Sequence, residues 1–243
     1  MSTDNSNPRL YRTAVWLIFI PLVAVMGWGC QQGSIPAPQN SPHDSMLRMA
    51  EGQTAASVAP HWVFSPDSDF EQLGADFRLS HQRDESLRYG FEAHGGRWGY
   101  GGTDNETVVG GRGFVGWTER PSWASNDRLG LGWMPLFVSA GALRTNSGHR
   151  YIDAGVTMSP NFSLADETLI IGYSSGFGSW VRVTDRYDAV ADHTRVGFVF
   201  SGMVSILLDL DPVYIAAEAG LSLQFYILHD SQVRSGMSAG IRF

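Results

Sequence analysis

The sequence predicts an all-β chain: a single antiparallel up-and-down β-barrel of about eight to ten strands, preceded by a signal segment and a flexible linker. Three observations carry this. From residue 60 onward apolar and polar residues alternate with a period of two, the pattern of strands whose successive side chains point to opposite faces. Turn-forming groups separate the alternating runs. No stretch of comparable length carries a helical period.

The first element is an address. Residues 1–13 are polar and carry Arg9 and Arg12, and residues 14–26 (AVWLIFIPLVAVM) contain no charge. A basic start, a short apolar core and small residues before a cleavage point describe a secretory signal peptide. A spanning helix needs about 20 apolar residues, and Pro21 interrupts this one. Gly29–Cys30 resembles the end of a bacterial lipoprotein signal, whose invariant cysteine follows a small residue. Gly27 and Trp28 depart from that pattern, which prefers a leucine-like residue three places before the cysteine. The resemblance implies a signal peptide over 1–29 and lipidation of Cys30. An uncleaved anchor and an ordinary signal are the alternatives. Residues 30–59, rich in Gln, Ser, Pro and Asn, read as a linker.

The barrel domain is expected over 60–243. Alternating runs are read at 73–81, 87–94, 107–118, 128–143 (broken by Pro135), 150–158, 167–184, 193–210, 213–227 and 233–243. A further strand at His61–Phe64 makes an even number, as single-chain bacterial barrels have. Turns are expected at Arg83–Glu85, Asn146–Gly148, Asp209–Pro212 and Asp230–Ser231.

Composition says which face meets what. Charged residues are only 17% of the chain, there is no lysine, and the net charge is -7. An acidic chain does not suit nucleic acid, and one cysteine excludes an internal disulfide framework. The polar face of the runs is mostly Gly, Ser and Thr, and 24 of the 28 glycines lie in 71–243. A solvated surface carries far more charge of both signs. Small residues and paired arginines suit the inside of a narrow barrel, with the apolar face turned to lipid. Arg78, Glu92, Asp153, Arg195, Glu218, Arg234 and Arg242 fall on the polar face and are expected to form an interior charge network. Trp98, Trp117, Trp133, Trp180, Tyr151, Phe225 and Phe243 fall near run ends or on the apolar face, as an aromatic girdle requires.

The C-terminus GMSAGIRF resembles the terminal strand of bacterial outer-membrane β-barrel proteins. The match rests on Phe243, Ile241, Ala239 and Met237, and the general pattern is similar to small barrels of the OmpA or OmpX type. The resemblance implies a site in the bacterial outer membrane, contact with its lipids, and recognition of Phe243 and its alternate residues by the barrel-assembly machinery.

Two short motifs do not fit. Gly111–Gly116 satisfies GxGxxG without the following helix that phosphate binding needs. Gly172–Gly176 satisfies GxSxG inside an alternating run instead of at a strand-to-helix elbow. No cofactor is expected, and the seven scattered histidines show no HxH or HxxxH spacing, so no metal ligands are assigned. No catalytic residue is assigned either. Ser80, His81, Glu92 and His94 are the candidates if the barrel is a lipid hydrolase or acyltransferase, but Ser80 and His81 point to opposite faces. The leading expectation is a non-enzymatic outer-membrane barrel whose loops, at 98–106 and 185–193, do structural or surface-interaction work. A lipid-anchored periplasmic barrel binding an apolar ligand is the second reading.

Overall fold

The computed structural model describes residues 45–66, 70–100, 106–118, 135–146, 148–164, 168–184, 195–225 and 229–243. The expected signal segment, Cys30 and half of the expected linker lie outside these residues, as does Trp133.

Eleven strands form one antiparallel sheet: β1 Thr54–Phe64, β2 Phe70–Gln82, β3 Leu87–Tyr100, β4 Glu106–Trp117, β5 Leu136–Thr145, β6 His149–Met158, β7 Asn161–Leu164, β8 Leu169–Thr184, β9 Arg195–Asp209, β10 Val213–Phe225 and β11 His229–Arg242. Each pairs with its neighbour in sequence, except that β6 as well as β7 pairs with β8. The two share one register on β8: Met158 lies opposite Ser175 and Asn161 opposite Gly172. They are one wall strand interrupted at Ser159–Pro160, where proline withholds a ladder donor. The wall therefore has ten strands. It closes where β1 pairs with β11, from Ala55↔Arg242 to Phe64↔Val233, and the terminal Phe243 exchanges backbone hydrogen bonds of 2.8 and 2.9 Å with Thr54. Closure leaves no open edge.

Sequence and structure differ in three places. The first strand begins at Thr54, not at 60, because Ala55, Ser57 and Ala59 already alternate inward in a run that looks like linker by composition. Asp230 and Ser231 are not a turn: they pair with Gln224 and Leu223 inside the β10–β11 ladder. β5 begins at Leu136, directly after Pro135.

The start of β1 and the terminal Phe243 lie at one end of the barrel, here the terminal end, with the described turns 83–86 and 210–212. The far end carries 65–69, 101–105, 146–148, 185–194 and 226–228. Of the expected loop 98–106, Trp98, Gly99 and Tyr100 are the last residues of β3 and Glu106 the first of β4, because the ladder between the two runs on to Trp98↔Glu106; 101–105 and the expected loop 185–193 lie outside the described residues.

The apolar face points outward. Val58, Leu73, Phe77, Phe91, Val109, Ile152, Phe200, Val204, Ile206 and Met237 are exposed on the wall. Their strand neighbours Ser57, Gln72, Asp76, Arg78, Glu92, Ser205 and Ser238 are buried inside. The alternation at Val108 and Val109, 0% and 56% exposed, shows the two environments one residue apart. This is the arrangement of a barrel with lipid outside and a polar interior.

Candidate functional site

The lumen is packed in tiers. At the terminal end the chain before β1 turns into the barrel mouth. Met46 and Leu47 are buried against Ala55, Ile170, Leu207, Tyr214 and Ala216. Arg88 donates 2.5 and 3.0 Å hydrogen bonds to the Leu47 carbonyl and Gln82 Oε1. Ser45 donates to Ser159 Oγ at 2.8 Å, and Arg242 donates to the Arg48 carbonyl at 3.0 Å. Toward the far end Val63, Trp98, Val108, Leu143, Tyr151, Trp180 and Val199 form an apolar cluster. Its rings meet edge to face, Trp98 with Tyr151 at 6.3 Å and Tyr151 with Trp180 at 6.0 Å, a favoured aromatic geometry. The sequence reading placed these three rings in an outward girdle; the register turns them inward. Trp117 and Phe243 do face outward, and nothing is described of the Phe225 side chain.

Between these tiers lies the charge layer, in two clusters. In the first, Arg112 bridges Asp153 at 2.6 Å and Glu92 at 3.8 Å, and Arg78 lies 4.0 Å from Glu92. The Arg78 guanidinium sits 3.9 Å over the Phe114 ring, a cation–π contact away from water. In the second, Arg234 reaches Asp76 at 3.2 Å and Glu218 at 3.4 Å. Arg242 belongs to neither: at the terminal end it pairs with Asp209 at 2.6 Å and Asp211 at 3.1 Å. Arg195 opens β9 opposite Arg182, and its side chain is outside the described residues. The expected residues Arg78, Glu92, Asp153, Glu218 and Arg234 are thus all buried in the layer.

The sequence reading left Asp76, Arg112 and His61 out of its candidate site residues, and named His94 only as a candidate for lipid-hydrolase or acyltransferase chemistry. His61 on β1, Asp76 on β2 and His94 on β3 point into one spot. His61 pairs across to Gly74, two residues from Asp76, and Asp76 pairs directly with His94. His94 Nδ1 is 2.5 Å from Asp76 Oδ1 and His61 Nδ1 is 3.2 Å from Asp76 Oδ2. The two imidazoles stack at 5.2 Å, and Gln72 Nε2 stands 3.3 Å from His94 Nε2. No motif spacing announces this cluster, because hairpin register, not sequence distance, brings its members together.

The enzyme candidates do not assemble. Ser80 is inward and donates to Met49 Sδ at 3.7 Å. His81 Nδ1 is 3.0 Å from Thr54 Oγ1. The partners shown for His94 are Asp76 and Gln72, neither of them the serine that the enzyme reading needs. GxGxxG lies within β4 and GxSxG within β8, both in strand. A cavity of about 10 Å³ beside Arg112, Asp153 and Trp180 is room for about one water.

No protein-family model matches the chain, and no curated protein matches it. Solved barrels are similar to it. The β-domain of the Bordetella autotransporter BrkA aligns over 80% of this chain and 99% of its own, at 11% identity and a TM-score of 0.47. An outer membrane channel from Pseudomonas putida F1 aligns over 86% of this chain and all of its own (100%), at 13% identity and a TM-score of 0.48. The N-terminal β-barrel domain of OprF from Pseudomonas aeruginosa covers 80% of this chain and 100% of its own, at 10% identity and a TM-score of 0.32. At such identities the likeness is one of architecture, and the barrel itself rests on the pairing of its own strands.

Proposed function

We propose that this chain is a non-enzymatic β-barrel of the bacterial outer membrane, exported by its signal peptide, whose filled barrel is a scaffold for loops at the far end. The observation that carries the reading is the lumen: apolar caps at both ends enclose a paired charge layer, behind a wall whose outer face is apolar. A barrel filled by its own side chains leaves no path for solutes. What is left to act is the loop end, where the β3–β4 connection and 185–193 are the candidate contacts with other surfaces.

Phe243, Ile241, Ala239 and Met237 all face outward along β11, the seam strand, which supports their reading as the segment taken by the assembly machinery. Lipidation of Cys30 remains part of the proposal and is read by mass spectrometry of the mature N-terminus.

The test has two arms. Purified protein in planar bilayers is expected to give no steady conductance, and an epitope inserted within 185–193 is expected to be reachable by antibody on intact cells. A stable ohmic pore, or an epitope reached only after the envelope is opened, overturns the reading.

A further inference from the structure

We propose that His61, Asp76 and His94 form a binding site for a divalent first-row metal ion, tested here with Co²⁺ and Zn²⁺, inside the barrel. Their ligand atoms all lie within 4.8 Å of one another. Two imidazole nitrogens and one carboxylate are a ligand set that such ions accept at about 2.0–2.2 Å, with a fourth position open.

Three further observations point to an ion. First, His61 is buried, yet neither ring nitrogen makes a well-formed hydrogen bond. Its ring lies over Gly74, where a Cβ would crowd Nε2 at 2.7 Å. The sequence thus makes room for an imidazole whose Nδ1 has only the Asp76 carboxylate at 3.2 Å and whose buried Nε2 has no hydrogen-bond partner among the described residues, a costly arrangement without a ligand. Second, the supporting contacts are those of a metal centre. Gln72 meets the far nitrogen of His94; with its amide turned, the carbonyl accepts from Nε2–H and leaves Nδ1 to the ion. Arg234 holds Asp76 Oδ2 and is itself held by Glu218, which orients the carboxylate while Oδ1 faces the ion. Third, among the described residues the layer holds fewer arginines than carboxylates. Arg78, Arg112 and Arg234 face Asp76, Glu92, Asp153 and Glu218. Arg88, nearer the terminal end, is committed to Gln82 and Leu47. A cation held between the two imidazoles and Asp76 would offset the excess carboxylate.

The ion would tie β1, β2 and β3 together beside the β1–β11 seam. The experiment uses tag-free, folded full-length protein in detergent, stripped with chelator and titrated with Co²⁺. One equivalent is expected to bind with a visible d–d band of low-coordinate nitrogen and oxygen ligation, and Zn²⁺ is expected to displace it. His94→Gln is expected to abolish the band. Gln72→Leu, which keeps all three ligands, is expected to weaken binding by about 10–100-fold. Heat-modifiable gel mobility reports whether each variant is folded. Wild-type protein that binds no equivalent of either ion overturns the site. So does binding undiminished in folded His94→Gln protein, which would place the ion on another histidine. If His94→Gln does not fold, the wild-type titration and the Gln72→Leu shift decide, and an unchanged affinity in the latter overturns the proposed geometry.

Discussion

Glycine makes the lumen's aromatic rings possible. Trp180, Tyr214, Phe137 and Phe114 each lie directly across from a glycine: Gly197, Gly240, Gly116 and Gly90. At each, an added Cβ would meet the ring well inside normal contact. Gly197→Ala therefore overpacks the far-end cluster and is expected to cost about 1–3 kcal/mol. Gly113, on the outer face with nothing near its Cβ position, is the control, and Gly113→Ala is expected to leave the urea midpoint unchanged. Charge acts in the same confined space. Asp153→Ala would leave the Arg112 guanidinium buried without its closest partner, at an expected cost of about 3–5 kcal/mol in the same unfolding measurement. At the rim, Asp84 Oδ1 accepts from the Ser86 and Leu87 amides and the Ser86 hydroxyl. The Ser86 bonds, its amide first, hold the Asp84 carboxyl below its ordinary value of 3.8. Its contribution to the β2–β3 turn is thus complete above that value and is lost as pH falls through the lower folded value. Hydrogen exchange at Ser86 and Leu87, corrected for intrinsic rate, is expected to quicken only below pH 3.8 in the wild type. In Asp84→Ala it is expected to be fast at neutral pH. The inward side of Arg78, Glu92 and Arg234 was legible in the sequence from parity alone. Their partners were not, since Asp76 and Arg112 become neighbours only through cross-strand register.

At the scale of the strand, a period of two was enough to find the long runs. It failed where composition masked it. Thr54–Pro60 reads as linker because alanine, serine and proline alternate without contrast, and only pairing with β2 and β11 makes it a strand. Ser159–Pro160 breaks one wall strand into two, so a count by elements gives eleven and a count around the wall gives ten. The aromatic girdle misled for a related reason: Trp98, Tyr151 and Trp180 sit near strand ends, where either face is plausible, and parity with Glu92, Asp153 and Gly178 sends them inward. The outer face yields a direct prediction. Phe77 lies mid-strand in β2 and is exposed. Phe77→Arg sets a charge against the acyl chains and is expected to destabilise the protein by about 2–4 kcal/mol in bilayers. Reversible urea unfolding in lipid vesicles reads this.

The whole molecule follows from one inversion of the soluble pattern: small and charged residues crowd the interior, and large apolar ones form the outer surface. Fold class and the direction of that inversion were readable from glycine content, the missing lysines and alternation. The tiering of the lumen was not, because it needs the segment before β1 to fold back into the mouth, and the placing of Met46 and Leu47 there depends on contacts with Ile170, Leu207 and Tyr214 far along the chain. The most direct measurement of the inversion is magnetisation transfer from lipid acyl-chain protons to valine methyls in protein reconstituted into bilayers. Val109 is predicted to show strong transfer and its neighbour Val108 none. Transfer to Val108 with Val109 in contact with water would contradict the account.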